Sequence, residues 1–166
     1  EEQIKKKNET AGVAVIDMDD FKLCNDTLGH GAGDAALQTM VRTVKHCIRK
    51  TDILIRFGGD EFVLILKDIK KEHFFSKLVQ IKNDIHAAGV PGYPKLQLSV
   101  SIGGVMTSEE TVEQAVTEAD HLMYQAKVHK NMVVTQDNPS QVVAGGGNDE
   151  RIRQQILIVD DSEMSR

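Results

Sequence analysis

The sequence lacks tryptophan and has few aromatic residues, which make up 4% of its 166 residues. Single-stranded nucleic acids are usually bound by stacking on aromatic side chains, so this shortage argues against that class of binding. Cysteine is scarce too, and the two cysteines, Cys24 and Cys47, lack C-x-x-C spacing, so neither a disulfide framework nor a zinc site is indicated. No apolar run approaches the ~18 residues that span a bilayer, and residues 1–7 lack the apolar core of a signal peptide. These absences predict a cytoplasmic protein without a membrane segment.

Positively charged residues are fewer than negatively charged ones. Lys and Arg number 20 against 25 Asp and Glu, which gives a net charge of −5. A chain this acidic is a poor candidate for binding the DNA backbone, so a nucleotide partner has to be held locally, through a metal. The hydrophobic fraction of 40% and charged fraction of 27% are typical of a globular domain, and the length suits one domain with some additional chain.

The first half of the chain shows alternating strand and helix patterns. Residues 11–16 form a short apolar, β-branched run that predicts a buried strand ending at Asp17. From Asp34 onward, apolar residues at i, i+3, i+4 and i+7 predict a helix, with Asp34 as its cap or a first-turn acid. Two strand-like runs, 53–57 and 62–66, flank a glycine-rich turn and predict a hairpin.

The second half continues this alternation. A helix is predicted on Phe75, Leu78, Ile81 and Ile85, then a strand over residues 96–102, then a helix with an apolar stripe over residues 112–126 in which Met123 and Tyr124 are assigned to the core. The predicted fold class is therefore α/β, an α+β sandwich whose mixed, largely antiparallel central sheet is flanked by helices, as in a polymerase palm.

Acidic residues follow two of the predicted strands. Asp17, Asp19 and Asp20 follow the first strand, and Asp60 and Glu61 lie at the hairpin tip. If the two strands are neighbours, the two clusters converge, and carboxylate oxygens at such a point suit Mg²⁺ bound to a nucleoside triphosphate. Gly58 and Gly59 would let the backbone approach phosphates closely. The alternative is that these acids are simply solvated in turns.

Three motifs in order give the chain a family resemblance. Residues 56–62, R-F-G-G-D-E-F, resemble the hairpin signature of the diguanylate cyclase (GGDEF) family, residues 17–26 resemble its D-x-D-x-F-K-x-x-N-D, and residues 29–34 its G-H-x-x-G-D. Residues 99–103 and 119–127 are also similar to the family's S-x-S-x-G strand and A-D-x-A-L-Y-x-A-K helix. The resemblance implies a palm-like nucleotidyl cyclase fold.

The resemblance also implies which residues hold the metal and substrate. Asp17, the Met18 carbonyl and Asp60 would hold Mg²⁺, or Mn²⁺ in its place, with Glu61 completing the acidic site. Asp60 and Glu61 would be the catalytic pair, with Asp60 helping to deprotonate the attacking 3′-hydroxyl. The implied substrate-binding residues are Phe21, Lys22, Asn25, His30, Asp34, Gly58, Gly59, Lys127 and Lys130.

Several of these substrate residues have simpler explanations. Asn25 and Asp34 match the positions that read guanine, whose N1 and N2 donors need an acceptor, but Asp34 is equally a helix cap. Lysines on helices are usually solvated, and His30 between glycines is expected to shape the pocket.

A further pair, Arg49 and Asp52, matches the family's R-x-x-D allosteric product site at the expected offset before Gly58. Arg offers a planar fork for guanine or phosphate, and Asp accepts from guanine. The alternative is a salt bridge at a helix end.

The chain departs from the family pattern at both ends. The family's D-x-L-T-G-L-x-N-R segment is absent upstream, and the segment after Lys127 is one residue short and lacks its glycine, which affects the assignment of Lys130. We predict a GGDEF domain over 1–136, a linker over 137–154, and the truncated first strand of a response-regulator receiver domain over 155–166, as in two-component signalling proteins.

The resemblance predicts an enzyme that condenses two GTP into cyclic di-GMP and pyrophosphate, inhibited by its product. Each domain would hold one GTP, so catalysis would require a homodimer. The main alternative is a silent domain that binds cyclic di-GMP or GTP or serves dimerisation. A haloacid-dehalogenase phosphatase and a mononucleotide cyclase explain fewer of the motifs.

Overall fold

A computed structural model describes residues 10–108 and 110–138. In chain order, the elements are β1 (Ala11–Met18), α1 (Phe21–Leu28), α2 (His30–Cys47), β2 (Ile53–Gly58), β3 (Glu61–Lys67), α3 (Lys71–Ala87), β4 (Val100–Thr107), α4 (Val112–His129) and β5 (Met132–Thr135).

The strands form one five-stranded sheet in the order β2-β3-β1-β4-β5. β1 is antiparallel to both β3 and β4, β2 and β3 form the predicted hairpin, and only β4 and β5 are parallel. The predicted fold class, a largely antiparallel sheet flanked by helices, is confirmed. Because β1 lies in the centre, its two faces are both buried, which explains its uninterrupted apolar sequence.

Helices cover both faces of the sheet. On one face, β1 residues such as Ile16 pack in a core with α2 and α3 residues such as Met40 and Leu78. On the other face, α4 supplies Ala119 and Met123, which pack against Val13 and neighbouring strand residues. The helices on the two faces therefore fix the position of the sheet, and with it the end of β1.

The fourth strand runs from Val100 to Thr107, so the predicted strand over residues 96–102 was wrong at both ends. The strand continues through Gly103 and Gly104 because each glycine admits a neighbouring helix. A Cβ at Gly103 would collide with the α4 backbone at Ala119 and Met123, whereas one at Gly104 would meet the tips of Leu78 and Phe74. Glycine here serves close packing rather than a turn.

Other differences have local causes. No sequence pattern predicted α1, which buries no residue fully, or β5, which has only 4 residues. Helix α2 begins at His30, so Asp34 is in its second turn and is not the predicted cap. Tyr124, expected in the core, is 64% exposed, whereas Met123 is buried as predicted.

The receiver-like run over 155–166 lies outside the described residues, as do residues 1–9 and nearly all of the predicted linker. Among the described helices, none combines the length and apolar character needed to cross a membrane.

Candidate functional site

The two acidic clusters meet at one end of the sheet. β1 and β3 are neighbours, and Asp17 lies directly opposite Glu61 in their antiparallel register. The Met18 amide donates to the Asp60 carbonyl over 3.1 Å, which ties the end of β1 to the hairpin turn. The Asp60 carboxyl lies near enough to the Asp17 carboxyl to raise its pKa. Three acids from two separate motifs therefore share one site.

Arg56 holds the hairpin turn in shape. Its Nε and Nη2 atoms donate to the Gly59 carbonyl over 3.0 and 2.5 Å. Gly59 has a φ of 33°, in the region that favours glycine, and the register shifts between Arg56 and Gly58. The turn thus places Asp60 beside β1, a role for Arg56 that the sequence analysis did not assign.

Burial dominates the electrostatics of the Asp17 carboxyl, although the Lys127 ammonium lies 3.4 Å from its Oδ2 atom. Burial, and then the nearby Asp60, outweigh the Lys127 ammonium and raise the pKa of Asp17 to about 7. Its Oδ1 atom is buried and has no hydrogen-bond partner within the described part of the chain. A hard oxygen of this kind, beside a second carboxylate, is a fitting ligand for a divalent cation.

Glu61 has a second acidic neighbour that the sequence analysis missed. Burial, and then hydrogen bonding to Asp120 of α4, raise the pKa of Glu61. Asp120 belongs to the A-D-x-A-L-Y-like segment, so the motif marked it as a candidate site residue. Its contact with Glu61 could not be predicted, because the two residues are far apart along the chain.

Lys127 points into this acidic site. Its Nζ donates to the Met18 carbonyl over 2.9 Å and lies 3.4 Å from Asp17 Oδ2 and 3.4 Å from Asp19 Oδ1. The side chain is only 8% exposed. The expectation of an ordinary solvated lysine therefore does not hold at this position.

Asp19, by contrast, is hydrogen-bonded to residues other than Asp60 and Glu61. Its carboxylate accepts from the hydroxyls of Ser99 and Ser101 and from the Asn131 amide. Of the acids that follow β1, Asp17 is therefore the one that joins the hairpin acids.

The predicted metal ligands are close to one another, but the metal set stays a prediction. Across residues 10–108 and 110–138, no group of three or more His, Cys, Asp or Glu side chains is arranged to hold a metal ion. The side chains of Asp17 and Asp60, together with the Met18 carbonyl, give two carboxylates and one backbone oxygen. Such a partial ligand set is typical of Mg²⁺, which keeps several waters and binds substrate phosphates.

Lys130 takes the place of the missing family glycine at the end of α4. Its φ and ψ are 64° and 153°, and its Nζ lies 2.9 Å from the Asp20 carboxylate. Asp20 itself has a φ of 59°. The β1–α1 loop is thus fastened to the α4–β5 turn, and Lys130 is engaged with Asp20.

Replacing Lys130 with glycine is expected to stabilise the protein by about 1 kcal/mol. Its backbone conformation is adopted almost only by glycine and costs a side-chain-bearing residue ~1–3 kcal/mol, and the largely buried ion pair with Asp20 offsets only part of this cost, because burying both charges also removes them from water. Lys130→Ala, which loses the ion pair and keeps the strain, should be destabilised. Urea denaturation of both variants checks this, and a Lys130→Gly variant no more stable than Lys130→Ala would contradict it.

The predicted guanine-reading residues lie at the junction of α1 and α2. A Cβ at Gly33 would collide with Asn25 Oδ1, so glycine at this position lets the Asn25 amide lie against the first turn of α2, one residue before Asp34. Asp34 is exposed, as are Lys22 and His30. Phe21 lines a cavity of about 280 Å³ between α1 and residues 96–99.

Arg49 and Asp52 form the salt bridge that was the simpler alternative. Their side chains are 3.3 Å apart, and Asp52, 3% exposed, also accepts from the Arg49 and Lys67 amides. Arg49 Nη2 donates in addition to the Lys67 carbonyl. Beside them is a cavity of about 310 Å³ that Lys70, His73 and Lys77 also line. Asp52 and Asp68 line the same cavity, so its basic side chains outnumber its acidic ones only slightly, and the product site stays a prediction.

Comparison with known proteins agrees with this geometry. The family model "Diguanylate cyclase, GGDEF domain" matches residues 1–132. "Probable diguanylate cyclase DgcT" of Escherichia coli (strain K12) is 35% identical over 131 residues, covering 75% of this chain and 29% of that protein. "Diguanylate cyclase A" of Treponema denticola is 30% identical over 133 residues, covering 78% of this chain and 36% of that protein. This chain therefore spans about a third of the length of such curated relatives.

Solved structures give the same result. The GGDEF domain of PA1120 from Pseudomonas aeruginosa matches with a TM-score of 0.74 and 27% identity, over 81% of this chain and 86% of that one. The diguanylate cyclase SiaD of Pseudomonas aeruginosa, in complex with its activator SiaC, matches with a TM-score of 0.75 and 28% identity, over 81% of this chain and 53% of that one.

Proposed function

The chain belongs to the diguanylate cyclase, GGDEF domain family, and we propose that it is an active, Mg²⁺-dependent enzyme that condenses two GTP into cyclic di-GMP and two pyrophosphates. The observation that carries this proposal is the meeting of Asp17 and Asp60 beside the glycine turn, with Glu61 in register opposite Asp17. A domain that only binds nucleotides has no need of half-buried carboxylates that repel one another.

Asp17, the Met18 carbonyl and Asp60 would hold the Mg²⁺, with Glu61 next to them. When bound, the ion would neutralise triphosphate oxygens and lower the pKa of the 3′-hydroxyl. Mn²⁺ offers the same oxygen-ligand chemistry.

The remaining chemistry belongs to the residues of the chain. The Asp60 carboxylate takes the proton of the 3′-hydroxyl as its oxygen forms a bond to the α-phosphorus. The bond between the α-phosphorus and the pyrophosphate oxygen breaks, and pyrophosphate leaves with the electron pair. Lys127 offers positive charge to the phosphates, and Gly58 and Gly59 leave room for them.

The guanine base would bind between α1 and α2. The side-chain oxygens of Asn25 and Asp34 would accept from its N1 and N2 donors, and because Asp34 is not a helix cap, its carboxylate has no capping role to compete with this one. Phe21 and His30 would shape this pocket, while Lys22 and Lys130 would add positive charge at its edge.

A homodimer follows from the product. Each 3′-hydroxyl has to attack the α-phosphate of the other GTP, so two half-sites have to face each other. The rate per chain should therefore rise with chain concentration before reaching a plateau.

One experiment distinguishes the active enzyme from the alternative, a domain that binds cyclic di-GMP or GTP without catalysis. Binding of each nucleotide is measured by calorimetry on the same sample that is assayed for turnover at increasing chain concentration. GTP turnover whose rate per chain rises with concentration supports the enzyme. Binding of cyclic di-GMP without turnover at any concentration supports the receptor.

Stability without a divalent cation should fall as pH rises. The pKa of Asp17 is about 7 in the folded chain against 3.8 for an ordinary Asp, so the folded state binds more protons between these values and loses stability as pH rises through them. In the wild type, the free energy of unfolding should fall by about 2–4 kcal/mol between pH 4 and 8 because of Asp17, and Asp17→Asn should abolish this fall. Urea denaturation in a chelator checks this, and equal pH slopes for both proteins would contradict it.

Arg49→Ala should relieve product inhibition. The Arg49 guanidinium lines the cavity described above, where an anionic dinucleotide would be held by the guanidinium of Arg49 and the ammonium groups of Lys70 and Lys77. The concentration of cyclic di-GMP that halves the initial rate is expected to rise about tenfold or more, with the uninhibited rate unchanged. An unchanged inhibition curve would assign Arg49 to the salt bridge alone.

A further inference from the structure

Asp19 is buried beside the proposed site and has no part in the mechanism above. Its side chain is 1% exposed, and its carboxylate accepts from Ser99 Oγ over 2.5 Å, from Ser101 Oγ over 2.6 Å and from the Asn131 amide over 2.9 Å. These donors belong to the start of β4 and to the α4–β5 turn. The carboxylate is therefore fixed by two separate segments and cannot follow a moving partner.

Lys127 lies between this fixed carboxylate and the proposed cation ligands. Its ammonium is 3.4 Å from Asp19 Oδ1, 3.4 Å from Asp17 Oδ2 and 2.9 Å from the Met18 carbonyl. The last two groups are those proposed to bind Mg²⁺. A divalent cation there would repel the ammonium from both of them, and Asp19 is the one partner of the three that would remain.

Building on the proposed function, we propose that Asp19 is a positioning residue that retains the Lys127 ammonium when a divalent cation takes over Asp17 and the Met18 carbonyl. The ammonium then stays within the site, available to phosphate oxygens. Without the charge of Asp19, the ammonium pairs only with Asp17 and the Met18 carbonyl, and competes with the divalent cation for both.

The proposed role of Asp19 depends on the negative charge of its carboxylate, whereas a purely structural role does not. If Asp19 only ties segments together, removing its hydroxyl partners should be as damaging as removing its charge. Asp19→Asn keeps the size and one acceptor oxygen but removes the charge. The matched control, Ser99→Ala/Ser101→Ala, keeps the charge and removes two donors.

Mn²⁺ binding to the 166-residue chain, measured from the electron paramagnetic resonance signal of free Mn²⁺, gives a readout that does not depend on turnover. We expect Asp19→Asn to weaken Mn²⁺ binding about tenfold and the double serine variant to change it less than about threefold. In a Lys127→Met background, Asp19→Asn should change binding less than about threefold, because the residue through which it acts is gone.

Several outcomes would overturn the proposal. Equal weakening by Asp19→Asn and by the double serine variant would leave a structural role, and so would an undiminished effect of Asp19→Asn in the Lys127→Met background. Wild-type affinity in a folded Asp19→Asn chain would also reject it, with the proposed function intact. No Mn²⁺ binding by the wild type would reject both. If circular dichroism shows Asp19→Asn unfolded, the role of Asp19 is structural and the proposal is overturned.

Discussion

Asp60→Asn is expected to abolish cyclic di-GMP synthesis, lowering the rate about 10³-fold or more while the chain stays folded. The amide cannot take the proton of the 3′-hydroxyl and is a weaker ligand for a divalent cation. Folding should not suffer, because the change removes a negative charge that raises the pKa of Asp17. Product is measured by mass spectrometry, and folding by circular dichroism.

A matched control comes from the opposite end of the sheet. Asp137 follows β5, is 59% exposed and pairs with Lys71, so Asp137→Asn makes the same chemical change without touching the acidic site. Asp137→Asn should retain the wild-type rate. Loss of activity in both variants, or in neither, would contradict the role given to Asp60.

Gly103→Ala is expected to destabilise the domain by about 3 kcal/mol or more, lowering the melting temperature by about 10 °C or more. The added methyl group would collide with backbone atoms of α4 at Ala119 and Met123, which cannot move without moving the helix. Since α4 also carries Asp120 and Lys127, the acidic site should loosen with it. Thermal denaturation followed by circular dichroism measures the effect.

The neighbouring glycine is the control for this prediction. A methyl group at Gly104 would lie 2.6 Å from Leu78 Cδ1 and 2.9 Å from Phe74 Cζ, which are the ends of side chains that can shift. Gly104→Ala should cost less, about 1–2 kcal/mol. A Gly104→Ala variant less stable than Gly103→Ala would show that α4 does not pack on β4 as described.

Much of the fold could be predicted because its signals are local. The apolar run of β1, the glycine turn between β2 and β3 and the long stripe of α4 each lie within one segment of sequence. Helix α1 and strand β5 could not be found in this way, because one lacks a buried stripe and the other is too short to show alternation. The extent of β4 depended on helices packing against Gly103 and Gly104, which no local pattern reveals.

In the candidate site, too, local features could be predicted from the sequence and long-range contacts could not. The two acidic clusters were expected to converge if their strands are neighbours. The structure shows that β1 and β3 are neighbours, and it adds the register that places Asp17 opposite Glu61. The contacts of Asp19 with Lys127 and Asn131 join residues 108 and 112 positions apart, so spacing could not predict them. The family motifs pointed to Lys127 without indicating that it contacts the Met18 carbonyl.

The most direct test of the account is product formation by the chain itself. The purified chain is incubated with GTP and Mg²⁺ at high chain concentration, and cyclic di-GMP and pyrophosphate are measured together. The account predicts two pyrophosphates for each cyclic di-GMP, with synthesis lost in a chelator. A folded chain that binds GTP and Mg²⁺ as a dimer and yet forms no cyclic di-GMP would contradict it.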